Sequence, residues 1–240
     1  MKIIAHRGYR AKFPENTVLA FKKAMEYGAD GIELDVRMSS DKKLVIVHDP
    51  FIVDKLNLEN AYIISETPLE DLKKIPLGMK QSIPTLKETL ENLNNETFID
   101  VEFKIPEVIE PSIELLEFFG FKNLMFSSFK RGILKDLKNE FPSALIGLLY
   151  EVYELEEIDE LFDSLVNDVK KYDADSLNLP IDFFRGRDHL IGMLKKVRDL
   201  GIKIAFWTVN NMIDFDSIDD VTDFLITDEI EKMMNRKEIC

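Results

Sequence analysis

The sequence predicts a (β/α)8 barrel (a TIM barrel) formed by one domain spanning 1–240, with a small insertion after the second strand, on three observations. Short apolar, β-branched runs alternate with longer segments of helical periodicity, which is the pattern of successive βα units. Nine runs qualify as strands, yet only seven residues separate Val36 from Leu44, too few for the crossover that a parallel neighbour needs. Setting that run aside leaves eight strands in 240 residues, 30 per unit, the size of a barrel repeat. An open doubly wound sheet is the competing architecture, but no glycine-rich phosphate loop follows any strand.

The predicted strands are 2–6, 31–36, 44–48, 98–104, 124–128, 144–150, 176–179, 202–209 and 224–227. Helical periodicity marks 17–27, 85–94, 107–119, 130–140, 156–171, 188–200 and 213–219, with weaker signals at 68–74 and 229–236. The first helix carries Val18, Phe21, Ala24 and Met25 on its apolar face and stops at Gly28, with Asn16 or Thr17 as its N-cap. The run 44–48 follows Ser39-Ser40-Asp41, a turn composition, so it folds back antiparallel on the second strand and returns His48 towards Glu33. Residues 49–84 hold Pro50, Pro68, Pro76, Gly78 and Pro84 with little periodicity and read as an elaborated loop over the C-terminal rim, where barrel active sites are built.

Charge and composition narrow the function. The net charge of −14 repels nucleic-acid phosphates, so no nucleic-acid partner is expected, and any phosphate substrate requires a local cation. The one cysteine, Cys240, excludes a disulfide framework and a thiolate metal site. No apolar run reaches the ~18 residues of a membrane span, and His6 comes too soon after Met1 for a signal peptide. A cytoplasmic location and no stable membrane insertion are expected; the oligomeric state is not legible.

The candidate site residues sit at strand ends. In Gly31-Ile32-Glu33-Leu34-Asp35-Val36, alternation puts Glu33 and Asp35 on one face and the apolar residues on the other. Asp100-Val101-Glu102-Phe103-Lys104 repeats the arrangement, so Glu102 offers a third carboxylate; such oxygen donors suit Mg²⁺ or Ca²⁺. Lys104 either pairs with Glu102 or reaches a substrate phosphate. His6 and His48 end predicted strands, and an imidazole pair can serve as general base and general acid. His189, at a helix start, reads as a surface residue. Arg7 could make a forked contact with phosphate, and Gly8 permits a sharp turn. Glu15 is a supporting or substrate residue, and Trp207 packs in the core or walls a rim pocket. Asp228 ends the last strand at the same rim.

His6-Arg7-Gly8, Pro14-Glu15-Asn16-Thr17, Ala20-Phe21, Gly28-Ala29-Asp30, Glu33-Leu34-Asp35-Val36, Asp41 and Val47-His48-Asp49 in that order resemble the signature of the glycerophosphodiester phosphodiesterase family. Ile83-Pro84-Thr85-Leu86, Val101-Glu102-Phe103-Lys104, Ser128-Phe129, Trp207-Thr208-Val209-Asn210 and Thr227-Asp228 extend the resemblance over essentially the whole chain. It implies a barrel with a divalent cation on Glu33, Asp35 and Glu102, an acid/base pair in His6 and His48, Arg7, Lys104 and Glu15 contacting phosphate or supporting the site, and Trp207 near the alcohol pocket. The implied reaction converts a small-molecule glycerophosphodiester and water into glycerol 3-phosphate and an alcohol. In the favoured route one histidine deprotonates the glycerol 2-hydroxyl, which attacks phosphorus, while the other protonates the leaving alcohol, and water consumes the cyclic phosphate. Direct attack by water is the alternative, and which histidine takes which role is not legible. Two rim segments depart from the family pattern: Phe51-Ile52-Val53-Asp54-Lys55 replaces a Leu-Asp-Arg-Thr-Thr-like stretch, and Glu229-Ile230 replaces a proline-containing one. The alternatives are a lysophospholipase D, with an apolar rim from Phe51, Ile52, Leu56, Leu58, Tyr62 and Ile63, and a non-catalytic metal-binding barrel.

Overall fold

The computed structural model describes residues 1–54, 60–135 and 137–237. Its strands are β1 Lys2–Ala5, β2 Gly31–Met38, β3 Leu44–Ile46, β4 Phe51–Val53, β5 Ala61–Ile63, β6 Phe98–Phe103, β7 Leu124–Ser128, β8 Leu145–Leu149, β9 Ser176–Pro180, β10 Lys203–Trp207 and β11 Phe224–Thr227. Eight of them, all but β3, β4 and β5, pair in parallel in the order β1-β2-β6-β7-β8-β9-β10-β11, and β11 pairs back onto β1. The barrel is therefore closed, as the strand count required. β2 runs past its parallel contacts, and β3 lies antiparallel on that overhang, with Val36 opposite Ile46.

Alternation divides each strand between two environments. Ile32, Leu34, Val36, Val101 and Phe103 face the helices in the main core, while Ile4, Phe98, Met125, Ala205, Phe224 and Ile226 plug the barrel interior. Phe98 and Phe224 stack there with centroids 5.2 Å apart. Full burial of such side chains is worth about 1.5–3 kcal/mol each, so the plug holds the strands in register beneath the rim. Gly31 has no alternative in this plug, because a Cβ at that position would lie 2.5 Å from the Phe98 carbonyl oxygen.

Several local expectations change. The first helix, Val18–Glu26, is capped by Thr17, whose hydroxyl accepts from the Ala20 N–H, and not by Asn16. The predicted helix 156–171 begins only at Leu161 and runs to Tyr172, preceded by an unexpected short helix at Val152–Glu156, and 130–140 divides into a 3-10 turn at Arg131–Leu134 and a helix at Leu137–Glu140. The run 202–209 is a strand only to Trp207; beyond it alternation lapses, so Val209 joins the outer core while Trp207 packs against the inner plug.

The insertion is more ordered than its composition indicated. β4 and β5 form an antiparallel hairpin, followed by a 3-10 turn at Ile64–Glu66 and a helix at Leu69–Leu72. Val45, Ile64, Leu72, Ile75 and Ile83 form a separate small core that fastens it to the β3 edge. Leu56 and Leu58, counted above with the apolar rim, and Cys240 lie outside the described residues. No helix among the described residues is long and apolar enough to cross a membrane.

Candidate active site

Register brings the acids together. Glu33 stands opposite Asp100 and Asp35 opposite Glu102 across β2 and β6, so the inward faces of two adjacent strands carry four buried carboxylates. Oxygens of Glu33, Asp35 and Glu102 lie within 4.8 Å of one another. Such crowding is unfavourable without cations, and two side chains supply them. Lys104 Nζ lies 2.8 Å from Asp35 Oδ1 and also pairs with Glu102. Arg7 sits in a left-handed turn after β1 (φ 54°), donates its backbone N–H to Glu33 Oε2 at 2.8 Å, and donates Nη1 to Glu15 Oε1 at 3.0 Å. Gly8 continues that turn at φ 81°, where a Cβ would lie 2.7 Å from the Ala20 backbone.

The charges divide unequally. Burial pushes the Glu33 carboxyl well up, and Asp35 and Glu102 add to the effect. Burial, then Asp35, raises Glu102 to about 8, and burial raises Asp100 to about 7 against a hydrogen bond from Ser127. Asp35 moves the other way: burial opposes it, but Lys104, Arg7 and His48 hold its carboxyl well below the usual carboxylate range. Asp35 is thus the anchored anion, with neighbours that ionise more readily beside added positive charge.

The donor set fits a divalent cation. Apart from its ion pair with Lys104, Asp35 Oδ1 is a buried acceptor with no further hydrogen-bond partner among the described residues. Its other oxygen accepts from Asn16 Nδ2 at 2.7 Å, which fixes the carboxylate plane. Three converging carboxylates, all oxygen donors, match hard ions such as Mg²⁺ or Ca²⁺.

The two histidines are oriented by carboxylates. His6 Nδ1 lies 2.8 Å from Asp228 Oδ1, and His48 Nδ1 lies 2.7 Å from Asp49 Oδ1. Each imidazole then has its Nε2 free of the carboxylate, and each lines one cavity of about 220 Å³ together with Glu33 and Glu102. Asn210 secures the first pair, donating Nδ2 to Asp228 Oδ2 and accepting the Asp228 N–H, both at 2.9 Å. Arg37 secures the His48 backbone, donating Nε to its carbonyl at 2.7 Å. Burial pushes the His48 imidazole down, with Asp35 opposing. Phe129 and Trp207 close the far wall, edge to face with centroids 5.6 Å apart, and Trp207 Nε1 donates to the Asn178 carbonyl at 3.1 Å.

The fold therefore brings His6, Arg7, Glu33, His48, Glu102 and Trp207 to one cavity, with Asp35 and Lys104 packed against it. Glu15 stands one shell back, paired with both Arg7 and Arg10. His189 is exposed near the start of the helix Asp188–Asp199. Sequence reasoning passed over Asn16 as a cap, left Asp100, Asp49 and Asn210 without roles, and did not single out Arg37. Asp100 shares the face of Glu102 and Asp49 adjoins His48, so both carried a signal; the contacts of Asn16, Asn210 and Arg37 are tertiary.

A model of the glycerophosphoryl diester phosphodiesterase family matches residues 6–232. The chain belongs to that family. A glycerophosphodiester phosphodiesterase of Caldanaerobacter subterraneus subsp. tengcongensis is 34% identical over 248 residues, covering 97% of this chain and 96% of the relative. The solved structure of a glycerophosphodiester phosphodiesterase from Thermotoga maritima is 33% identical, covers 98% of each chain and superimposes with a TM-score of 0.82. An Oleispira antarctica phosphodiesterase, solved in complex with its product sn-glycerol-3-phosphate, shares the fold at 24% identity, with a TM-score of 0.84 and coverage of 99% of this chain and 97% of that one. As a member of the glycerophosphoryl diester phosphodiesterase family, the chain is a phosphoric diester hydrolase.

Proposed function

We propose that this family member hydrolyses glycerophosphodiesters to glycerol 3-phosphate and an alcohol, using a divalent cation held by Glu33, Asp35 and Glu102 and the acid/base pair His6 and His48. The observation that carries the reading is the pair of imidazoles, each tethered through Nδ1 to a carboxylate, facing one cavity beside three converging carboxylates. Tethering fixes ring orientation, so Nε2 is the atom that exchanges a proton with substrate. Arg7 and Lys104 supply the positive charge that a phosphate needs in a chain of net charge −14. Glu15 acts through Arg7 by holding its guanidinium. The bound cation supplies charge that offsets the negative charge developing around phosphorus. Phe129 and Trp207 form an apolar wall for the carbon skeleton of the glycerol, and not for the alcohol that the family resemblance implied for Trp207. One histidine takes the proton of the attacking glycerol 2-hydroxyl and the other gives one to the leaving alcohol, so the pair must hold one proton between them, and the reverse exchange lets water open the cyclic phosphate to glycerol 3-phosphate.

The chain reads as one barrel domain with the insertion as part of its rim, and its reaction acts on deacylated phospholipid headgroups in the cytoplasm. The test is release of glycerol 3-phosphate from glycerophosphocholine with Mg²⁺ or Ca²⁺, lost with EDTA and restored by the ion. Because Glu33 and Glu102 are pushed up and a bound cation favours their ionised forms, adding the ion near neutral pH releases protons, readable by calorimetry in buffers of different ionisation enthalpy. Turnover that persists without any divalent ion rules the cation role out.

A further inference from the structure

His48 has two sides. One faces the cavity of about 220 Å³ and the other faces a second hollow of about 400 Å³ between the β3 edge and the insertion. The second hollow is walled on its aliphatic side by Ile46, Val47, Ile52, Val53, Leu77 and Ile83, and Phe51 and the polar Glu15, Asn16 and Asp49 complete its lining. Val47, Ile52, Val53 and Leu77 are only half-buried, so the fold leaves aliphatic surface open beside a histidine instead of covering it. The insertion's own core fixes this surface: Ile83 lies within that core, and Val47, Ile52 and Leu77 pack against it.

A diester has two arms on one phosphorus. The first cavity is smaller than the roughly 300–1,000 Å³ typical of ligand sites, whereas the two hollows together fall within that range. β7, whose end leads to Phe129, and β10, which ends in Trp207, stand away from β2 in the strand order, so the Phe129–Trp207 wall and His48 bound different sides of the first cavity. His48 lines both hollows, so a diester with one arm against the aromatic wall has the second hollow on the other side of this histidine. We propose that this hollow is the leaving-alcohol subsite and that it selects alcohols with an apolar body, so the chain prefers glycerophosphodiesters whose alcohol carries a short hydrocarbon chain. The inference rests on the phosphodiesterase reading above and concerns the alcohol, not the glycerol, as the arm that enters the hollow.

The test compares glycerol 3-phosphate release from glycerophosphoethanol and glycerophosphohexanol by the metal-loaded protein. The wild type favours the hexyl diester in kcat/KM by roughly tenfold or more, the discrimination that a few methylenes produce in an apolar pocket. Val53→Trp, which fills the hollow, and Ile52→Ser, which removes aliphatic wall, bring the hexyl-to-ethyl ratio of kcat/KM to about one, and thermal unfolding of each variant scores loss of folding separately. Equal rates for the two diesters, or a preference untouched in both variants, overturn the subsite but leave the phosphodiesterase reading intact. Inertness of both diesters and of glycerophosphocholine overturns both. A hydrocarbon preference seen only with 1-acyl lysophospholipids and lost in Val53→Trp assigns the hollow to the glycerol arm and overturns the proposal.

Discussion

The two histidines of the rim are held by opposite strategies. His6 directly follows a barrel strand, its side chain is 12% exposed, and its carboxylate partner Asp228 lies 222 residues away and is 18% exposed. His48 stands beyond the end of a hairpin strand, is 33% exposed, and takes its partner from the next residue, Asp49, which is 64% exposed. Asp228 is itself gripped on both sides by Asn210, whereas the second pair is steadied from outside by the Arg37 bond to the His48 backbone. Desolvation makes the first pair strong and salt screening makes the second weak, although both present Nε2 to the same cavity.

The largest effect tests whether both histidines react. His6→Ala and His48→Ala each lower kcat by roughly 10²–10⁴-fold with metal binding retained, the range for losing a general acid or base; a single severe loss reduces the pair to one working histidine. Next, Asp228→Asn lowers kcat roughly 100-fold by releasing the His6 orientation, while Asp49→Asn costs less than about fivefold, the worth of an exposed pair. Equal losses in steady-state assays would break the contrast between buried and exposed tethers.

A smaller effect sharpens it through stability. Burial opposes ionisation of Asp228, but His6, Asn210 and Arg10 hold its carboxyl below its ordinary value of 3.8. Its contribution is therefore present above that value and is lost as pH falls through the lowered one. Urea unfolding should show Asp228→Asn less stable than wild type by about 1–3 kcal/mol at pH 7. The difference narrows as pH falls below the ordinary carboxylate range, while Asp49→Asn shows little difference at either pH.

Local sequence carried much of this design. Alternation in 31–36 and 98–104 sufficed to put Glu33, Asp35 and Glu102 on inward faces, because a strand has a period of two whatever surrounds it. Chain length between Val36 and Leu44 sufficed to exclude a parallel crossover and bring His48 back beside β2. The hairpin within 49–84 escaped because β4 and β5 are three residues each, too short for a periodic signal. The helix expected from 156 begins only at Leu161, because Glu156 ends a separate short helix and apolar spacing continues across the break between them.

The tertiary structure alone decided which side chains meet. Barrel closure joins β11 to β1 and so delivers Asp228 to His6, a contact between residues that no local period relates. The left-handed turn at Asn16 (φ 53°) directs an apparent helix cap into Asp35 instead. Lys104 and Arg7 divide the cluster into one anchored anion and neighbours raised by burial, a distribution set by distances of a few ångströms in a desolvated space. Sequence by itself determined the faces and the strand count, since these follow from short-range geometry; partner choice and protonation follow from closure and burial, which exist only once the chain is folded.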